Sequence, residues 1–214
     1  MLIPFRSCIE RASSLFSSVV HIGAHLGEEV NDYKENGVKS VIWFEANRNL
    51  MPQLFENTRR YDLKQEYFCE VLSDKDGEEV NFAITNNGQS SSILELGTHK
   101  THHPHIHVID TKKLTTKRFD TVARDNSDKI NMNIVDFVNL DVQGAELKVL
   151  QGFGSIFEEY KNIKAVYTEV NTEEVYVGCA LLPQIDYFLE SHGFKRIAIN
   201  MTDAKWGDAL YLRK

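Results

Sequence analysis

The chain has 214 residues, 42% of them hydrophobic and 26% charged, an ordinary globular composition with room for one sizeable core. Its net charge of −7 argues against a general nucleic-acid binder, which shows a basic face, and no apolar run approaches the roughly 18 residues that cross a bilayer. Three scattered cysteines, Cys8, Cys69 and Cys179, offer no CxxC pair for a zinc site or a disulfide framework, and fit reduced thiols in a cytoplasmic compartment.

Residues 1–17 mix Arg6, Glu10 and Arg11 with apolar residues and read as a first helix or arm, not a secretion signal. From residue 18 to residue 214, strand-like and helix-like segments alternate, the pattern of one α/β domain with a parallel sheet covered by helices. Ser18–Ile22 and Ser40–Phe44 are short apolar strands; Gly27–Asn36 and Asn49–Arg60 follow them as helices, the first closed by Gly37. A third strand spans Tyr67–Leu72 before the turn residues Ser73–Gly77, and Val80–Ile84 is a further strand. Residues 86–116 are irregular, with one short strand at His105–Asp110; so long an insertion is a candidate substrate-facing wall. Arg118–Asn126 reads as a helix, Ile134–Leu140 as a strand, Ala145–Gly152 as a helix, Lys164–Val170 as a strand and Leu181–Ser191 as a helix. Phe194–Asn200 and Ala209–Arg213 close the chain as a strand pair.

Three features carry chemistry. Val19–Gly27 runs a buried strand through His21-Ile22-Gly23-Ala24-His25-Leu26-Gly27 into a helix. Its glycines permit close backbone approach to a ligand, or serve strand-to-helix packing alone. The spacing is GxxxG rather than the GxGxxG of dinucleotide enzymes. Glu45 ends the next strand some 20 residues on, where an acid accepts hydrogen bonds from ribose hydroxyls, or simply opens a helix. Asp141, in Asn139-Leu140-Asp141-Val142-Gln143-Gly144-Ala145-Glu146, ends a third buried strand, where open α/β sheets bind ligands; its other reading is a helix cap. Together the glycine loop and Glu45 describe an adenosine site.

These stretches resemble the FkbM family of S-adenosylmethionine-dependent methyltransferases. The matching segments are His21–Glu29, Val41–Asn47, Val71–Gly77, Gln89–Leu94, Asn139–Gly152, Tyr167–Tyr176 and Gly207–Leu212, in family order. The most specific is Leu140–Glu146 followed by Val149-Leu150-Gln151-Gly152. His21 and His25 stand where many members carry Asp and Asn, a variant form of the loop. The resemblance implies a Rossmann-like class I methyltransferase fold, a mostly parallel seven-stranded sheet with an antiparallel C-terminal strand and helices on both faces. It implies methyl transfer to a hydroxyl, often of a sugar or glycan-like acceptor. The expected cofactor residues are His21, Gly23, Ala24, His25, Gly27, Glu45, Ala46, Ser73, Asp141 and Gln143, with Ser73 near the adenine and Asp141 near the transferred methyl.

An alkyl hydroxyl is a poor acid, so a base must take its proton. Asp141 is the expected base or metal ligand, with Glu169 in support. His99, His102, His103, His105 and His107 crowd the irregular stretch; His105 or His107 is the alternative base, and no metal site is expected among them. Lys100, Lys112, Lys113, Lys117 and Arg118 make the stretch locally basic, which suits an anionic acceptor or a solvated face. The competing readings are a nicotinamide-dependent oxidoreductase, a non-catalytic adenosine-ligand protein and an RNA methyltransferase. The first meets the GxxxG spacing and the last the negative charge.

Overall fold

A computed structural model describes residues 1–214. Its elements in chain order are α1 (Phe5–Ala12), β1 (Ser18–Ile22), α2 (Val30–Glu35), β2 (Ser40–Phe44), α3 (Met51–Thr58), β3 (Lys64–Phe68), β4 (Val71–Leu72), β5 (Glu79–Thr85) and α4 (His99–His102). They continue as β6 (Val108–Lys117), α5 (Phe119–Asp125), β7 (Phe137–Leu140), α6 (Glu146–Gln151), α7 (Ile156–Glu159), β8 (Ala165–Asn171), α8 (Leu182–Ser191), β9 (Phe194–Met201) and β10 (Trp206–Arg213). None of the helices is long and apolar enough to cross a membrane.

Seven strands form the main sheet in the order β3-β2-β1-β7-β8-β10-β9. Neighbours from β3 to β8 are parallel, and β10 runs antiparallel between β8 and β9. This is the expected Rossmann-like sheet with one antiparallel C-terminal strand. Residues of β1 and β2 are buried throughout, because a parallel strand covered on both faces needs near-continuous apolar character. Alternate side chains feed two cores. Val20, Ile22, Ile42, Phe44, Val138 and Leu140 pack with α5–α8 in a cluster of 27 buried residues. Val19, Val41, Trp43 and Phe137 pack with α1–α3 in a cluster of 16. Asp136 ties the start of β1 to that of β7: its carboxylate accepts the amides of Ser17 and Ser18 at 2.9–3.0 Å. The chain runs outward from β1 to β3 and then returns to β7 on the other side of β1. The carboxyl ends of β1 and β7 therefore flank the topological switch, the place where such sheets leave a crevice.

The largest departure from the sequence reading is a second sheet, ordered β4-β6-β5. The expected strand Tyr67–Leu72 is split: Lys64–Phe68 ends the main sheet, the chain breaks at Cys69 and Glu70, and Val71–Leu72 joins β6 instead. The expected strand His105–Asp110 is displaced to Val108–Lys117, ten residues paired antiparallel with β5. Ile134 lies outside β7 and is exposed. The second sheet and the segment between β5 and β6 rise over the carboxyl ends of the main sheet and form the far wall of a cleft.

Candidate active site

The cleft has a volume of about 530 Å³, in the range that encloses a cofactor-sized ligand. Its floor begins at the glycine loop. The amides of Gly23 and Ala24 continue the β2 ladder by donating to Phe44 O at 3.0 and 2.9 Å. Gly23 has φ +85°, and a Cβ there would lie 1.7 Å from the Asp141 carbonyl oxygen. Only glycine lets this loop close on the end of β7. Gly27 serves differently: it lies behind the loop, where a Cβ would strike Thr58 and Leu54, and it is not in the cleft wall.

Glu45 fastens the loop. One carboxylate oxygen accepts the His25 amide at 2.8 Å and the other the Asn47 amide at 2.7 Å. Burial pushes its pKa up, and those backbone donors pull against the rise. Each oxygen keeps a second lone pair, and Glu45 and Ala46 both face the cleft. His25 sits at φ +46°, a left-handed conformation rare outside glycine, and its Nδ1 meets Glu28 Oε1 at 2.6 Å. Burial lowers the His25 pKa, but the hydrogen bond and charge of Glu28 outweigh it and raise the group overall. His21 is buried in a polar network, its Nδ1 3.1 Å from the Tyr33 hydroxyl, which also accepts from Asn139 Nδ2 at 2.8 Å. Burial lowers its pKa, so the imidazole is neutral where an acid would be charged.

Asp141, at the end of β7, opens directly onto the cleft. Gln143, at φ +57°, turns back so that its Nε2 donates to Asp141 Oδ1 at 2.6 Å and to Glu169 Oε2 at 2.8 Å, while its carbonyl accepts from the Tyr176 hydroxyl. Asp141 Oδ2 is left without a hydrogen bond from the protein. Glu146 holds the turn from behind, accepting the amides of Val142 and Gly144 at 3.0 and 3.1 Å. Register places Asp208 of β10 opposite Glu169 of β8. Asp208 accepts from the Tyr167 hydroxyl and from the Leu2 amide at 2.6 Å, which brings the N-terminal arm to the rim.

The electrostatics of this end are one-sided. Glu28, Glu29, Glu45, Asp141, Glu169 and Asp208 all line the cleft, and no lysine or arginine side chain does. Enclosure by the walls and the charge of Asp208 raise the Asp141 pKa. Burial, then the charges of Asp141, Glu146 and Asp208, raise Glu169 well above the carboxylate range. Asp141, Glu146 and Glu169 each bring an oxygen within 4.8 Å of the others, but the Gln143 amide already fills the gap between Asp141 and Glu169 with N–H donors. An acid cluster answered only by the Met1 ammonium 3.4 Å from Glu29 and by His25 beside Glu28 fits a cationic organic ligand such as S-adenosylmethionine, which carries a sulfonium and an ammonium. It opposes the pyrophosphate of a dinucleotide.

Of the other sequence-predicted residues, Ser73 is buried but stands outside the cleft wall, its hydroxyl donating to Asp74 at 3.0 Å; the adjacent Glu70, Val71 and Leu72 line the cleft instead. His107 is exposed and faces away, its Nδ1 3.3 Å from the His105 carbonyl. Unlike its neighbours His105 and Ile106, it does not line the cleft. His99 lines the cleft in its place and is only 5% exposed. Burial, then the neighbouring His103, His102 and His105, depress its pKa to about 4. The basic residues do not enter the cleft. Lys112, Lys113 and Arg118 pair with Asp110, Glu79 and Asp120, and Lys117 with the cleft-lining Glu70, which removes the ground for an anionic acceptor. Asp208 and Tyr176 complete the site; both lie in segments that resemble the family, Gly207–Leu212 and Tyr167–Tyr176, but neither was singled out as a site residue.

The fold is shared with methyltransferases of low sequence identity. Magnesium protoporphyrin IX methyltransferase from Synechocystis PCC 6803, solved with bound S-adenosylhomocysteine, is similar at TM-score 0.56 and 9% identity, over 100% of this chain and 82% of that one. Precorrin-6y C5,15-methyltransferase from Geobacter metallireducens GS-15 is similar at 0.51 and 11%, over 98% and 88%. A SAM-dependent methyltransferase from Aquifex aeolicus is similar at 0.50 and 11%, over 99% and 89%. No curated protein matches the chain. The model of the methyltransferase FkbM domain matches residues 21–196, from the first cleft residue of β1 into β9. The chain belongs to the FkbM family of S-adenosylmethionine-dependent methyltransferases.

Proposed function

We propose that this methyltransferase acts on a hydroxyl oxygen of a sugar or glycan-like small molecule. S-adenosylmethionine, when bound, supplies an activated methyl group on a sulfonium. The glycine loop at Gly23 and Ala24, with Ala46 and the free lone pairs of Glu45, would hold the nucleoside part. His21 and His25 shape the loop, and Asp141, Gln143 and Glu169 would meet the cationic end. Asp141 Oδ2 would take the proton of the acceptor hydroxyl as its oxygen becomes methylated, and Gln143 would keep the carboxylate aimed by holding Oδ1.

The observation that carries this reading is Asp141: a carboxylate facing the cleft, with one oxygen pinned by Gln143 and the other free, and a pKa raised toward neutrality by its surroundings. A raised pKa makes a carboxylate a better base for a reluctant proton. An amine acceptor that arrives neutral needs less help, so a poised base favours oxygen. Two measurements test it. S-adenosylhomocysteine at a hundred times its dissociation constant stabilises the fold by about 2.7 kcal/mol and raises the melting temperature, whereas NAD leaves it unchanged. Radiolabelled methyl transfer is then screened over sugars, oligosaccharides and amine-bearing analogues. Transfer confined to amines or carboxylates would overturn the hydroxyl reading while leaving the methyl donor intact.

A further inference from the structure

The far wall of the cleft mixes apolar Phe82, Ile93 and Ile106 with a set of polar side chains, and its segment between β5 and β6 contributes no lysine, arginine or acid. Asn87, Ser90, Ser91, His99, His103 and His105 supply the polar set. It is not a loose loop. The Gly97 and His99 amides donate to Val175 O at 2.9 and 3.2 Å, and the Thr98 amide to Glu174 O at 3.0 Å. Leu96 bridges Tyr176, and a Cβ at Gly97 would sit 2.2 Å from the Glu174 carbonyl. Asn87 braces the turn after β5, its Nδ2 donating to Ser90 Oγ at 3.0 Å and its Oδ1 accepting the Ser90 amide at 3.2 Å.

His99 is the anomaly in this wall. Its Nε2 lies 3.2 Å from Ser90 Oγ, and its Nδ1 is buried with no partner at all. Ser90 Oγ already accepts from Asn87, and its own proton finds no acceptor except His99 Nε2. The Nε2 atom therefore accepts, and in a neutral imidazole the proton must then reside on Nδ1. A buried N–H donor with nothing to bond destabilises the fold, and an oxygen brought in by a ligand removes that penalty. The ring lies 5.6 Å from that of Tyr176, whose hydroxyl reaches Gln143 and through it Asp141. The orphan donor and the proposed base thus belong to one connected lining.

We propose that this wall is the acceptor subsite, that the Nδ1 N–H of His99 anchors an oxygen of the acceptor, and that the acceptor is an uncharged polyol, not a phosphorylated or nucleotide-linked sugar. The proposal rests on the methyl-transfer reading above. An anionic group here would face Asp141, Glu169 and Asp208 with no lysine or arginine to balance it, whereas hydroxyls match the amide, hydroxyl and imidazole groups of the wall. The neutral state of His99 agrees with an uncharged guest.

The test uses the whole chain saturated with S-adenosylhomocysteine and two sets of probes, neutral methyl glycosides and their 6-phosphates, titrated calorimetrically. At least one neutral glycoside is expected to bind, about tenfold more tightly than its phosphate, this being roughly 1.4 kcal/mol. Two variants then separate anchoring from architecture. His99→Asn keeps an amide N–H close to the Nδ1 position and should retain binding within about threefold. His99→Gln keeps the contact to Ser90 but not the Nδ1 donor and should weaken the glycoside about tenfold. S-adenosylhomocysteine affinity should be unchanged in both, which also reports that they fold. The proposal falls if no neutral glycoside binds the loaded protein, if the phosphates bind as well or better, or if His99→Gln binds like the unaltered chain. Failure of S-adenosylhomocysteine itself to bind would sink the cofactor site, and this proposal with it.

Discussion

The two walls of the cleft are built by different rules. The near wall, at the carboxyl ends of β1, β2, β7 and β8, is set by parallel register: His21, Trp43 and Asn139 lie side by side, and each strand delivers its last residues to the same edge. The far wall hangs from a three-stranded sheet and a pinned segment, and its groups arrive from distant turns. The near wall is crowded with acids, of which Asp141 and Glu169 have no cationic partner; the far wall mixes amide, hydroxyl and imidazole groups with Phe82, Ile93 and Ile106. A rigid edge can hold carboxylates that repel one another, because the ladder hydrogen bonds oppose their separation. A segment held by a few amide contacts is suited to a neutral guest that it need not force into place.

The sharpest way to break the near wall is Gly23→Ala. The new Cβ would strike the Asp141 carbonyl, at a φ that only glycine tolerates well. The left-handed strain and the overpacking together cost about 3 kcal/mol, and the loop yields more readily than the sheet. S-adenosylhomocysteine affinity should fall roughly a hundredfold, while the far-ultraviolet circular dichroism stays that of the parent. Unchanged affinity in a titration would mean that the loop does not hold the cofactor.

Asp141→Asn asks whether the near wall does chemistry as well as binding. Turnover should drop by about 100- to 10,000-fold, the range for loss of a general base, with S-adenosylhomocysteine affinity held within a few fold. Because the pKa of Asp141 is raised, the parent enzyme should gain kcat as pH rises through that value and the carboxylate forms. Steady-state profiles of parent and variant check this: the acid limb belongs to Asp141 and should vanish from the variant's residual rate. Normal methylation by Asp141→Asn would remove the residue from the mechanism.

Glu169→Gln probes the uncompensated charge itself. The folded-state pKa of Glu169 lies above its unfolded value, so its ionised form destabilises the ligand-free fold when the pH exceeds the folded value. The penalty shrinks as the pH falls toward the unfolded pKa of about 4.3. The ligand-free variant should therefore melt higher than the parent at about pH 8, by roughly 2–4 °C for each kcal/mol of repulsion relieved, and the gain should fade toward about pH 4. A cationic ligand supplies the same relief, so the advantage should also narrow with the cofactor bound. A variant that melts lower at every pH would show the acids to be structural, not poised for a cation.

The same division explains what was legible in the sequence. Ser18–Ile22 and Ser40–Phe44 coincide with β1 and β2, because strands buried on both faces must be apolar runs bounded by polar turns. The near-wall residues follow directly, since topology places strand ends at the crevice. The far wall leaves no such trace. Along β6, Val108–Lys117 is exposed at nearly every position, so neither apolar alternation nor a continuous run marks it; it is a strand because β5 is beside it. Val71 and Leu72 extend the apolar stretch after β3, and nothing local reveals that they change sheets. His99 reads like a neighbour of Lys100 and His102, although Val175, far away in sequence, and Ser90, nine residues earlier, pack against it. Asp208 lies in the family-like segment Gly207–Leu212, but its place in the site follows from its register with Glu169.

The smallest effect is expected at His107, and it draws the boundary of the far wall. It lies eight positions after His99 in the same histidine-rich stretch, and the sequence reading offers His107, not His99, as a base. His107 is exposed, its Nδ1 turns to the carbonyl of His105, and its backbone pairs with Asn86 at the outer end of the segment. Its side chain supports neither the cleft nor the core, so His107→Ala should shift stability by no more than about 0.5 kcal/mol and leave kcat/KM within about twofold. The measurement belongs in the same assay as Asp141→Asn, where a thousandfold change is readable. A tenfold loss would mean that the segment from His99 to His107 closes inward when ligand binds, and the far wall would then be a moving part instead of a fixed one.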